Sequence, residues 1–225
     1  MNYQLHCHRK KIHAYFLLPV ILLLSLNMQP VYAGELHIDI TDGNRDPVSN
    51  AVAALVPVAP VNYNHKPTAI MDQRNNMFVP GVLAVRVNTL VNFPNSDDVR
   101  HHVYSFSPAK KFELRLYHGK TADPVLFDQA GKVALGCNIH DSMVGYIYVV
   151  NSEYFAVTDA KGKITLDKIP AGDYQLEIYH PKLSSDYPTE KIHITDQTIH
   201  KAIRLNGIFN LETNQSADEF SELFQ

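Results

Sequence analysis

Apolar and polar residues alternate with a period of two along most of the chain. The alternation is clearest in Leu36-His37-Ile38-Asp39-Ile40, Leu83 to Val87, Tyr146 to Val150 and Tyr174 to Tyr179. Successive side chains of an extended strand point to opposite faces, so such runs predict strands that bury one side. Asp42-Gly43, Pro80-Gly81, Lys161-Gly162 and Ala171-Gly172-Asp173 separate the runs and supply the residue types that reverse a chain. The pattern predicts an all-β protein of sandwich type. A helical pattern occurs only in the acidic C-terminal stretch, where Ser216-x-x-Glu219 reads as a capping box ahead of Phe220, Leu223 and Phe224 on one face. The simplest place for those aromatics is against the protein's own surface. No repeat of roughly 20 to 50 residues is present.

The first 33 residues change the picture. They combine a basic start (His8-Arg9-Lys10-Lys11), an apolar run from Ala14 to Leu26 and a small-residue exit at Val31-Tyr32-Ala33, the pattern of a cleaved secretory leader. Pro19 interrupts the apolar run, which falls short of the roughly 20 residues that span a bilayer. The expected mature chain is exported to the periplasm, is not embedded in a membrane, and is a monomer by default. The leader holds three of the 20 basic residues and none of the 23 acidic ones, which leaves 17 against 23 and a formal charge of −6. That balance argues against nucleic acid as a partner.

Cys7 leaves with the leader, so Cys137 stands alone in a compartment where thiols become paired or oxidised. Metal coordination is one reason to keep such a thiol, because the ion holds it as a bound thiolate. Cys137-Asn138-Ile139-His140-Asp141-Ser142-Met143 lies between the strand-like runs Val133 to Gly136 and Gly145 to Val150. A tight loop there can turn Cys137, His140 and Met143 toward one ion. Thiolate, imidazole and a weak thioether suit copper, which in its electron-transfer sites takes two histidines and a cysteine in a near-trigonal plane with an axial methionine. The missing histidine must come from a distant strand.

The segment Val91-Asn92-Phe93-Pro94-Asn95-Ser96-Asp97-Asp98-Val99-Arg100-His101-His102-Val103 supplies it. Here the chain resembles the cupredoxins: plastocyanins and, in the spacing of the Cys-x2-His-x2-Met loop, amicyanins. The Asn95 to His101 interval matches the family's Asn-x5-His. Ile70-Met71-Asp72-Gln73 and Met77 to Val85 resemble its first strands, so the resemblance runs from about Thr68 to Val150. It implies one type 1 copper ion held by His101, Cys137, His140 and Met143. It also implies that Asn95 joins the two ligand-bearing loops through hydrogen bonds. Alternation allows only one of His101 and His102 to face the ion, and the match favours His101, leaving His102 as a hydrogen-bonded neighbour. The prolines that often flank the family's second histidine are replaced by Ile139 and Asp141. Asp141 either favours a cationic partner or is a plain solvated loop residue.

A second resemblance surrounds the first. Ile40 to Val52, then Thr158 to Ile164 and Ile169 to Leu176, resemble the strands of a carboxypeptidase regulatory-like, transthyretin-type sandwich. The implied organisation is a leader over 1–33, a discontinuous regulatory-like sandwich over 34–64 and 152–206, a cupredoxin over 65–151 docked on or inserted into it, and an acidic tail over 207–225. One continuous irregular sandwich is the alternative. The segment Asn138-Ile139-His140-Asp141 and the sandwich after it also resemble exported proteins described as methylamine-utilisation-like.

Three functions from different classes follow. The first is a periplasmic blue copper protein that passes single electrons to or from a redox partner such as a cytochrome c or a dehydrogenase, with no substrate turned over. The second is a copper sensor or chaperone that presents its loaded state to a periplasmic sensor domain or membrane protein. The third, a cysteine-dependent enzyme using Cys137 and His140, lacks an orienting group and an oxyanion feature. Zinc is disfavoured because thioether is a poor zinc ligand. The histidines His37, His65, His118, His180, His193 and His200 sit apart in the sequence and read as surface or packing residues.

Overall fold

The alternating runs fold as strands that share two cores. The computed structural model describes residues 33–120 and 123–208, and those residues form one compact all-β unit without a helix. The expected leader and the acidic tail from residue 209 lie outside the described residues. In chain order come β1 (Ala33–Asp42) and β2 (Val52–Pro57). Ten strands follow: β3 (Thr68–Ile70), β4 (Asp72–Arg74), β5 (Met77–Val79), β6 (Val82–Arg86), β7 (Thr89–Asn92), β8 (His101–Ser105), β9 (Phe112–Tyr117), β10 (Val125–Phe127), β11 (Gly131–Leu135) and β12 (Gly145–Val150). The chain then returns through β13 (Tyr154–Val157), β14 (Lys163–Pro170), β15 (Gly172–Tyr179), β16 (Glu190–Ile194) and β17 (Thr198–Leu205).

The outer strands build the first core. One sheet has the order β14-β1-β17 and the other β13-β2-β15-β16, with β1 antiparallel to β14 and parallel to β17. In β1 the period of two becomes a difference between faces: Leu36, Ile38 and Ile40 are buried, while Glu35, His37 and Asp39 face outward. Leu36, Ile38 and Ile40 meet Ile164 and Leu166 of β14, Leu55 of β2, and Leu176 and Ile178 of β15 in one cluster. Burying each such side chain contributes on the order of 1.5–3 kcal/mol.

Strands β3 to β12 enclose the second core. They form the sheets β6-β12-β11 and β3-β7-β10, the hairpin β4-β5 and the pair β8-β9. Phe93 and Phe127 are fully buried among Val91, Val103, Val133, Leu135 and Ile147. Cys137 and Met143 belong to this apolar cluster. A smaller cluster of Val52, Val82 and Tyr179 joins the two cores, with Tyr148 stacked on Tyr179 at 4.8 Å and its hydroxyl donating to Glu177 at 3.0 Å. The second core is therefore carried on the strands of the first rather than hung from a linker.

Candidate metal centre

Two segments at one end of the second core meet: the start of β8 and the loop from β11 to β12. A pair of backbone hydrogen bonds between Tyr104 and Gly136, at 3.0 and 3.1 Å, fixes β8 beside the end of β11. The Tyr104 ring lies so close over Gly136 that a Cβ there would stand 2.6 Å from it, and at Gly145 a Cβ would stand 2.7 Å from Phe78. A glycine at each flank thus lets the loop sit down on aromatic rings. Within the loop Met143 N–H donates to the His140 carbonyl at 2.9 Å, closing a turn that carries His140 and Met143 and begins three residues after Cys137.

The two adjacent histidines of β8 go to opposite faces, as alternation requires. His101 is fully buried and turns Nδ1 toward Cys137 Sγ at 3.9 Å, and its ring centroid lies 5.0 Å from that of His140. His102 turns away and bonds Glu113 on β9 at 2.9 Å. The structure brings one ligand atom each from His101, Cys137 and His140 within 4.8 Å of one another. Cys137 and Met143 are buried, whereas His140 is half-buried between the exposed Ile139 and Asp141.

The far side of His101 is held by a carboxylate. Its Nε2 lies 2.7 Å from Asp97 Oδ2, and Asp97 is gripped in turn by the N–H groups of Asn75 at 2.5 Å and Asn76 at 3.0 Å. Asn75 and Asn76 have φ of 53° and 55°, the left-handed pair that a two-residue hairpin between β4 and β5 requires and that Asn tolerates. Burial pushes the Asp97 carboxyl up, but the Asn76, His101 and Asn75 hydrogen bonds outweigh it and leave the group below its ordinary value. A charged Asp97 accepts a hydrogen bond from Nε2–H of His101, so the lone pair on Nδ1 faces the thiol.

Asn95 acts one step further out, and its reach differs from the expectation. Its side chain accepts from Asp97 N–H at 3.0 Å and donates to the Val99 and Tyr117 carbonyls, each at 2.9 Å. Among the described hydrogen bonds these tie the His101 loop to itself and to β9, and none runs to the Cys137 loop. Beneath it, the Tyr117 hydroxyl donates to the Phe93 carbonyl at 2.6 Å and meets Gln73 Nε2. Burial pushes the Tyr117 phenol up to about 12. Sequence reasoning did not single out Asp97, Tyr117 or the Asn75-Asn76 turn. The signals available were the Asp97-x3-His101 spacing and two consecutive Asn between strand-like runs.

The donors fit a soft or borderline metal ion. A thiol sulfur and two imidazole nitrogens converge, and a thioether lies in the same apolar cluster as the thiol, the combination that copper sites use. His140 Nδ1 is buried without a hydrogen-bond partner, a state that costs about 1–3 kcal/mol unless something fills it. His102 Nδ1 is also unpartnered, but it lies outside the cluster of converging donors.

No protein-family model matches the chain, and no curated protein matches it. Solved structures do. A copper-containing nitrite reductase from Thermus scotoductus SA-01 is 24% identical with a TM-score of 0.35, over 43% of this chain and 25% of that one. An oxidized amicyanin mutant is 18% identical with a TM-score of 0.33, over 45% of this chain and 99% of its own. A purple cupredoxin from Nitrosopumilus maritimus is 22% identical with a TM-score of 0.33, over 38% of this chain and 100% of its own. The chain thus spans a quarter of the length of the nitrite reductase.

Proposed function

We propose that this chain is an exported type 1 copper protein that carries single electrons, in which His101, Cys137, His140 and Met143 would hold the ion. The observation that carries the reading is the convergence of one donor atom each from His101, Cys137 and His140 at the edge of the apolar cluster that holds Cys137 and Met143, with His101 Nδ1 3.9 Å from Cys137 Sγ. When bound, copper supplies a one-electron couple between Cu(I) and Cu(II). Oxygen-rich ions are poorly served by this donor set, and a thioether is a poor partner for zinc.

The protein's own residues do the rest. Asp97 holds the His101 ring and keeps its proton on Nε2, so Nδ1 is free to bind without reorientation. Cys137 sheds its proton on loading and is shielded from oxidants by burial. His140 reaches the surface beside Ile139 and Asp141, which makes it the natural exit for an electron toward a redox partner such as a cytochrome c or a dehydrogenase. The absence of substrate turnover, the periplasmic location and the regulatory-like identity of the surrounding sandwich belong to the same proposal. They are supported by the lone thiol, the leader pattern and the segments Ile40 to Val52 and Thr158 to Leu176.

The test is redox cycling. The copper-loaded chain is reduced with ascorbate and reoxidised with ferricyanide while its visible spectrum is followed. In a chain loaded with one equivalent of copper, one electron taken up and returned over repeated cycles, with the visible band bleaching and recovering and no loss of metal, is expected. Copper that leaves on reduction, or a spectrum that does not return, would contradict an electron carrier.

A further inference from the structure

The outer face of the sheet β14-β1-β17 carries a second group of metal-capable side chains, drawn from residues far apart in sequence. His37 of β1 and His200 of β17 are direct partners in the parallel register. Their rings stack with centroids 4.8 Å apart and planes 15° from parallel. Glu35, two residues before His37 and so on the same face, places Oε1 3.0 Å from His37 Nε2. Thr198, opposite Glu35, donates its hydroxyl to Glu35 Oε2 at 3.5 Å. On the other side of His37, Thr165 of β14 places its hydroxyl 3.2 Å from Nδ1. The nearby charges are Asp39, bonded by Lys163 at 2.6 Å, and Arg204, opposite Thr41.

A stability role explains this group poorly. The rings are at the surface, where stacking removes little apolar area from water, and protonating both would set two cations face to face. The donors do suit a metal. Two neutral imidazoles and one carboxylate bind borderline divalent ions. Two donors, each about 2.0–2.2 Å from one ion at a near right angle, lie about 3 Å apart, as His37 Nε2 and Glu35 Oε1 do. His200 stands on the next strand with its ring stacked on that of His37. Its nitrogens do not converge with the other two donors as closely as the three donors of the buried centre do, and a turn about the soft χ2 torsion is what aims one at the ion. The proton bookkeeping also closes: when Nε2 of His37 takes a metal, its proton moves to Nδ1, where the Thr165 hydroxyl accepts it.

We infer that His37, His200 and Glu35 form a surface site for a divalent transition-metal ion, with Cu(II) preferred over Ni(II) and Zn(II) in the usual order of affinities. The site lies over the first core and uses none of His101, Cys137, His140 or Met143, so it stands whether or not the buried centre holds copper. Three protein donors leave positions open to water, which suits reversible capture.

Two measurements test it. The first is a Cu(II) titration, by calorimetry and electron paramagnetic resonance, of a Cys137→Ala/His140→Ala chain in which the buried centre is disabled. One equivalent with nitrogen hyperfine structure is expected, weakened by ~10-fold or more on adding His200→Asn or Glu35→Gln. The second keeps the unmutated chain and follows histidine side-chain NMR signals on addition of Ni(II), with broadening expected first at His37 and His200. Unchanged affinity and stoichiometry in the His200→Asn and Glu35→Gln variants, or Ni(II) broadening that spares both rings, would overturn the site.

Discussion

His101 Nε2 lies 2.7 Å from Asp97 Oδ2, on the side of the ring opposite the thiol of Cys137. The carboxylate both aims the imidazole and places negative charge one ring away from the donor atom. Carboxylate–imidazole pairs of this kind raise the basicity of a ligating nitrogen, and losing the outer partner typically costs ~10- to 100-fold in metal affinity. Asp97→Asn keeps the shape and removes the charge. It should weaken Cu(II) binding within that range and raise the reduction potential, read by competition with a chelator and by voltammetry. An unchanged affinity and potential would show that Asp97 only props the loop.

Met143 has two separable roles. In the metal-free chain it is a core residue, 1% exposed and packed with Cys137. Met143→Leu conserves volume and should cost less than about 1.5 kcal/mol of apo stability, whereas Met143→Ala should cost about 2–5 kcal/mol. Urea unfolding of the apo chains checks both figures. If the thioether also serves copper, the Leu variant will keep its fold yet shift the reduction potential of the loaded protein.

Tyr117 joins β9 to the base of the His101 loop through Phe93 and Gln73. Tyr117→Phe leaves the buried Phe93 carbonyl and Gln73 amide short of a partner, a loss of about 1–3 kcal/mol. Urea midpoints should fall accordingly. Equal midpoints would mean that the pocket rearranges to satisfy both groups.

His180 makes stability depend on pH. Burial, with the charge of Lys182, holds its pKa below the ordinary value against the opposing Ser49 hydrogen bond, and Nδ1 accepts the Lys182 N–H at 3.2 Å. The unfolded chain therefore binds this proton at higher pH than the folded one. The contribution is fully present above the unfolded value, about 6.5, and is lost as pH falls through it toward the folded value. The associated slope is at most about 1.4 kcal/mol per pH unit. Unfolding free energy measured between pH 7.5 and 5.5 should decline less steeply in His180→Gln than in the unmutated chain; equal slopes would refute the assignment.

These relationships were legible in the sequence to different degrees, and the physical reason is range. The faces of β1 could be read directly, because Leu36, Ile38 and Ile40 bury the same side of one strand. Cys137, His140 and Met143 were readable together because one short loop carries them. Strands of three residues such as β3, β4, β5 and β10 are too short to show a period. The grip of Asn75 and Asn76 on Asp97 crosses some twenty residues, and the Asn95 bond to Tyr117 crosses as many in the other direction. His37 and His200 looked isolated because only the parallel register of β1 and β17 sets them side by side.

The most direct measurement is the visible absorption spectrum of the chain loaded with Cu(II), beside that of Cys137→Ala treated alike. A type 1 site predicts an intense thiolate-to-copper band that reductant bleaches reversibly and that the variant lacks. A loaded protein without such a band, or a band that persists unchanged in Cys137→Ala, would contradict the account.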